Sequence, residues 1–137
     1  MGTLVAPDEF KIQLKAVGSP IQRTRGTYLF RRGDAVTGIF LLAQGAVKLG
    51  LDGDPASFPS RHVGPGSVVG LPATLSDSTY SLTAEVVKDA ELVFLSRERL
   101  LDLLREKPHL CFQVMNILTE ELTQTRTALE RVRKVFC

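Results

Sequence analysis

The end of this chain carries a sustained heptad. From His109 to Val135 there is neither glycine nor proline. Cys111, Met115, Leu118, Leu122, Thr125, Leu129, Val132 and Phe136 follow one another at spacings of 4, 3, 4, 3, 4, 3 and 4. That period places all of them on one stripe of an α-helix, and such a stripe is stable only when covered. No other segment reads as a helix long enough to cover it, so the economical partner is a twin of the same helix. The spacing therefore predicts a homodimer seam through Met115, Leu118, Leu122, Thr125, Leu129 and Val132. A core helix within one chain is the alternative. A second stripe, Phe112, Val114 and Ile117, occupies only the first half and predicts burial on both sides there.

Ahead of the helix the period changes. Phe10, Leu14 and Val17 recur at helical spacing after the acidic start Asp8-Glu9, and Gly18-Ser19-Pro20 stops that short helix. From Ile21 to Leu95 the chain reads as short apolar segments broken by glycine and proline. Tyr28-Leu29-Phe30, Gly38 to Leu42, the alternating Val47, Leu49 and Leu51, Val68-Val69, the alternating Leu82, Ala84 and Val86, and Leu92 to Leu95 are read as strands. Arg32-Gly33-Asp34, Gln44-Gly45, Asp52-Gly53-Asp54 and Gly64-Pro65-Gly66 are read as the turns between them. Many short strands with regular turns indicate a sandwich, roll or barrel. Ser96 is a good N-cap for a helix carrying Leu100, Leu101, Leu103 and Leu104, which Lys107-Pro108 ends.

Size and charge narrow the function. The chain has 137 residues, 44% of them hydrophobic, which predicts one domain with a real core rather than disorder. Residues 1–108 would form the body and 109–137 the dimerisation helix of that same unit. Seventeen basic against 15 acidic residues give a net charge of only +2, too little for a field that gathers polyanions. No apolar run reaches membrane-spanning length, and the first residues lack a charged start followed by an apolar stretch. Cys111 and Cys137 form no CxxC pair, and Cys111 is expected as a buried free thiol. The expectation is a cytoplasmic protein with no membrane partner. His62 and His109 are the only histidines, and neither belongs to a nucleophile or metal motif. No catalytic residue, metal or cofactor is expected, and His109 is read as a solvated residue at a helix start.

The glycine spacing and order of elements resemble the cyclic nucleotide-binding domain of the catabolite-activator and FNR-type regulators. The match runs through Gly26-Thr27-Tyr28-Leu29-Phe30, Arg32-Gly33-Asp34, Leu41 to Val47, Val63-Gly64-Pro65-Gly66, Val69-Gly70, Thr83-Ala84-Glu85, Ala90 to Leu95, the Arg97-to-Leu104 helix and Pro108. The resemblance implies a mainly β fold with flanking helices: an antiparallel β-roll (a double-stranded β-helix) followed by a long C-terminal dimerisation helix. It also implies a ligand cassette from Gly70 to Ala84. Candidate ligand-binding residues are Gly70, Leu71, Pro72, Ala73, Thr74, Leu82, Thr83, Ala84 and, on the seam, Thr125. Pro72 at a helix start would leave the N–H groups of Ala73 and Thr74 free as a weak anion site.

The cassette departs from the family at two places. The family's glutamate for the ribose hydroxyl falls on Leu71, and its arginine for the cyclic phosphate falls on Leu82. No arginine or lysine lies between Gly70 and Glu85. The expectation is a sensor domain that does not take cyclic AMP or cyclic GMP and favours an unidentified, less charged small molecule. The alternatives are a ligand-free protein-interaction and dimerisation module, or the regulatory half of a DNA-binding transcription factor. Direct nucleic-acid contact is not expected of this segment, which stops about where the family's helix-turn-helix would begin. Thr125 aligns with a family threonine that touches the purine, but is read first as a polar residue fixing the seam's register.

Overall fold

The computed structural model describes residues 8–50 and 61–118. Helix α1 (Asp8–Val17) leads into strands β1 (Ser19–Arg23), β2 (Tyr28–Phe30), β3 (Gly38–Gly50), β4 (Arg61–Val63) and β5 (Val68–Val69). Helix α2 (Leu71–Ser76), strand β6 (Thr83–Ser96) and helix α3 (Arg97–Glu106) follow. Residues 110–118 are helical. All strand pairs are antiparallel, in the order β1-β6-β3-β4, with β2 on β6 and β5 on β3. This is the mainly β roll with flanking helices that the glycine spacing led us to expect.

The long pair β3 and β6 is the spine, running from Gly38 opposite Ser96 to Gly50 opposite Thr83. The sequence reading divides each of these strands in two, and the structure does not. Gln44-Gly45 is no reversal. It is a set of bulges inside β3, where the register shifts between Leu42 and Val47. Gly45 has φ +98°, and a Cβ there would stand 2.5 Å from the Asp89 carbonyl oxygen. The positive φ is used to bend a strand rather than to end it. Asp52-Gly53-Asp54 lies outside the described residues. The turns at Arg31–Asp34 and Gly64–Ser67 close with N–H···O bonds of 3.0 and 3.2 Å.

Alternation along the spine divides the interior into two cores. Phe40, Leu42, Val47, Leu49, Val86 and Leu92 point into the roll and meet Phe30, Val63, Val69, Tyr80 and Ala84. Ile39, Leu41, Val68 and Leu95 point the other way, onto Phe10 and Leu14 of α1, Leu100 and Leu103 of α3, and Leu110, Val114 and Ile117. A strand covered on both faces reads as an unbroken apolar run, which is why Gly38 to Leu42 shows no alternation in sequence. Helix α3 begins as expected, with Ser96 Oγ accepting from the Arg99 N–H at 3.3 Å.

The helix at 110–118 differs from expectation in detail. Leu110, Val114 and Ile117 are buried, while Phe112 is 72% exposed. Phe112 thus leaves the stripe assigned to it, because Leu110 lies one helical turn ahead of Val114 and Phe112 does not. Cys111 is half-buried rather than buried. Met115 is 58% exposed and Leu118 partly buried. Leu122, Thr125, Leu129 and Val132 lie outside the described residues.

Candidate functional site

The cassette starts where β5 ends. Gly70 caps α2 with φ 87°, and a side chain there would press within 3.1 Å of the Tyr80 ring and 3.2 Å of the Gly38 carbonyl oxygen. Pro72 lies in the first turn, as its fixed φ favours. The N–H of Thr74 donates to the Gly70 carbonyl at 3.1 Å, so it is not the free anion donor expected of it. The Thr74 hydroxyl is also committed, to Gly70 O at 2.7 Å and Gly38 O at 3.0 Å, and the residue is fully buried.

The two positions that depart from the family face different ways. Leu71 is fully buried in the helix-side core, with residues of α1, α3 and the 110–118 helix. It does not line the roll interior with the other cassette residues. Leu82 does pack against the roll core, the cluster that also holds Ala84 and Tyr80. Ala73 and Ala84 are buried in that same core. Thr83 is 6% exposed, and its Oγ1 accepts from the Arg32 N–H at 3.0 Å. The expected pocket is therefore split: Gly70, Ala73, Leu82 and Ala84 converge on the roll, while Leu71 and Thr74 serve as packing and support. Thr125 lies outside the described residues.

The sequence sets Tyr80 at the mouth of the expected pocket, and the structure buries it, at 2% exposure. Its ring stacks on Phe30 with centroids 3.8 Å apart and planes 9° from parallel. Its hydroxyl donates to Gly38 O at 2.7 Å and accepts from the N–H groups of Gly38 at 3.2 Å and Thr37 at 3.3 Å. The loop that carries it is stitched down as well. Gly33 N–H donates to Tyr80 O at 2.8 Å, Tyr80 N–H donates to Asp34 O at 3.0 Å, and Ala35 bridges Thr79. Two stacked rings thus fill the space in front of the cassette's first glycine. A lone tyrosine between Thr79 and Ser81 carries no periodic signal that could have announced this stacking.

A guanidinium does reach the cassette, from outside it. Arg97, the first residue of α3, donates through Nε to Thr74 O at 2.9 Å and pairs with Asp77 Oδ1 at 3.5 Å. It meets the carbonyl end of α2, where a cation is favourable, so its charge is spent fastening α2 to α3. Asp77 ends α2 in the left-handed region at φ 53°.

A second polar cluster joins α1 to the start of the helix at 110–118. Glu9 Oε1 meets His109 Nε2, and Gln113 Nε2 donates to Glu9 Oε2 at 3.0 Å. The hydrogen bond from His109, then that from Gln113, holds the Glu9 carboxyl below its usual 4.5. His109 is therefore a clasp between two helices rather than simply a solvated end. Among the described residues no group of His, Cys, Asp and Glu could hold a metal ion, and no helix is long and apolar enough to cross a membrane.

Comparison with known proteins agrees with this geometry. The chain is 30% identical over 132 residues to the cyclic AMP receptor protein of Thermus thermophilus, covering 92% of this chain and 58% of that protein. It is 28% identical over 107 residues to the transcriptional activator protein Anr of Pseudomonas aeruginosa, covering 77% of this chain and 42% of that protein. This chain thus spans only about half the length of these relatives. The crystal structure of the Thermus thermophilus catabolite activator protein superposes with a TM-score of 0.74 at 28% identity, over 93% of this chain and 60% of that one. The pattern of the cyclic nucleotide-binding domain matches residues 21–107, which span β1 to the end of α3. With that match over the roll, cassette and α3, the chain belongs to the cyclic nucleotide-binding domain family.

Proposed function

We propose that this chain is the sensor and dimerisation part of a regulator of the catabolite-activator and FNR type, with a cassette that does not take cyclic AMP or cyclic GMP. It regulates rather than catalyses, acts in the cytoplasm, and works as a homodimer through the helix of residues 109–137 that follows the 1–108 body. The observation that carries the reading is the chemistry of the cassette lining. Tyr80 and Phe30 stand in front of Gly70, and Leu82 offers hydrocarbon where a cyclic phosphate needs a cation. Each hydrogen bond to a charged group contributes about 1.5–3 kcal/mol, so losing two anchors weakens a cyclic nucleotide on the order of 10³-fold. Arg97 does not replace the missing charge, because Thr74 and Asp77 already hold it.

Isothermal titration calorimetry with cyclic AMP and cyclic GMP tests this. The expected result is no saturable heat in the micromolar range, and low-micromolar binding of either nucleotide overturns it. The dimer is supported by Met115, exposed on the seam stripe of one chain, and by half-buried Cys111 beside it. Met115→Asp is expected to shift sedimentation from dimer to monomer while leaving the far-UV circular dichroism of the roll unchanged. A wild-type monomer at micromolar concentration defeats this part.

The tight packing of Tyr80 favours one other reading, a roll that keeps the fold as an interaction module and takes no small molecule. Native mass spectrometry separates the two, since only the sensor carries a bound ligand. Direct contact with DNA is not assigned to these residues.

A further inference from the structure

The helix at 110–118 carries one apolar side chain more than its own core and the seam account for. Leu110, Val114 and Ile117 are buried in the helix-side core. Cys111, Met115 and Leu118 begin the seam stripe. Phe112 belongs to neither set. Together with Met115 and Asn116 it is exposed. An α-helix advances about 100° per residue, so Phe112 lies about 60° round from Met115 and about 160° from Val114. It therefore flanks the seam on the side turned away from its own core.

The residues around it are uncharged. From His109 to Thr119 the chain holds no aspartate, glutamate, lysine or arginine, and charges return at Glu120 and Glu121. A helix face made for water carries charged and polar residues. The centre of a protein interface is depleted of charge and enriched in aromatic residues and methionine. His109, in the turn before the helix, meets Glu9 of its own α1, so its charge is answered within the chain. These features single out a second copy as the occupant. Across a two-fold axis a patch meets itself, so any unanswered charge would oppose its like. Phe112, Met115 and Asn116 bring none.

We propose that a second copy of this chain buries Phe112, so that the interface at this end is wider than the two-helix seam and takes in Phe112 and Asn116 beside Met115. The proposal rests on the homodimer reading and adds to it a face that the heptad stripe does not contain.

The chain has no tryptophan, so Phe112→Trp places a single indole on this face. Its emission is followed from well below to well above the dimer dissociation constant, with sedimentation of the same samples and of the wild type. The expected result is exposed-indole emission in the monomer and a shift to shorter wavelength in step with dimer formation. Phe112→Glu is expected to weaken the dimer about tenfold or more and to leave the far-UV circular dichroism unchanged. A dimer whose indole stays as exposed as in the monomer overturns the proposal and leaves the seam standing. Short-wavelength emission from a chain that sediments as a monomer overturns it too, because its own chain then covers the face. So does a Phe112→Glu dimer as tight as the wild type. A wild type that stays monomeric at every concentration refutes the homodimer reading itself, and the proposal with it.

Discussion

Removing the Tyr80 hydroxyl tests whether the cassette is held closed from within. Tyr80→Phe keeps the ring on Phe30 and deletes one oxygen that donates to Gly38 O and accepts from Gly38 and Thr37. Gly38 O keeps a second partner, the Thr74 hydroxyl at 3.0 Å, so the loss falls mainly on the two N–H donors. Tyr80 is 2% exposed, which leaves water little room to replace the oxygen. An unsatisfied buried donor costs about 1–3 kcal/mol, and Thr37 is exposed enough to find water, so the lower half of that range applies. Tyr80→Ala adds a cavity beside Phe30, Gly70 and Ala84, and aromatic-to-alanine changes in a core cost about 3–5 kcal/mol. Urea denaturation of the two variants reads both numbers as shifts of midpoint at constant slope, and each kcal/mol corresponds to roughly 3–5 °C of Tm for a chain of this size. The reasoning is refuted if Tyr80→Phe lies within about 0.3 kcal/mol of the wild type, inside the scatter of ordinary surface changes. It is refuted equally if Tyr80→Ala costs no more than Tyr80→Phe.

Three further outcomes follow from single sites. Gly45→Ala forces a side chain into φ +98° and against the Asp89 carbonyl at 2.5 Å, and is expected to cost about 2–5 kcal/mol in thermal or urea unfolding; a neutral variant would mean that the bulge is not fixed. Ser96→Ala removes the N-cap of α3 and is expected to cost about 1 kcal/mol by the same measurement, with Ser96→Thr restoring most of it. Glu9 has a folded pKa below its unfolded value because His109 and Gln113 donate to it, so it stabilises the fold above the unfolded value, and that stability is lost as pH falls through the lowered folded value. Glu9→Gln is therefore expected to lie below the wild type near neutral pH and to converge with it as pH falls through the lowered folded value, and parallel pH profiles of unfolding would contradict the assignment.

The helices and most strands were legible in the chain, but β1, at Ser19–Arg23, was not. Ser96 before a leucine-rich segment, Pro108 before a run free of glycine and proline, and Gly18-Ser19-Pro20 after Phe10 and Leu14 mark their helices by local chemistry that acts within a turn or two. The family's glycine order adds the roll, because Gly33, Gly45, Gly66 and Gly70 all take up the positive φ that their turns and bulges require. What could not be read was where strands continue. Gly45 looks the same in sequence whether the chain reverses or bulges, and only pairing with Asp89 and Ala90 across β6 decides it.

Side-chain direction belongs to the tertiary structure for the same reason. Composition alone fixed that residues 70–84 hold no cation and that the leucines at 71 and 82 are apolar. Which of these two leucines faces the roll depends on how α2 lies against β3 and α3, and it places Leu82 there and Leu71 behind. Tyr80 meeting Phe30, Arg97 meeting Thr74, and Glu9 meeting His109 are contacts between residues 23 to 100 positions apart. No local rule links such residues, because the free energy that brings them together comes from burying the two cores around the β3–β6 spine rather than from the pairs themselves.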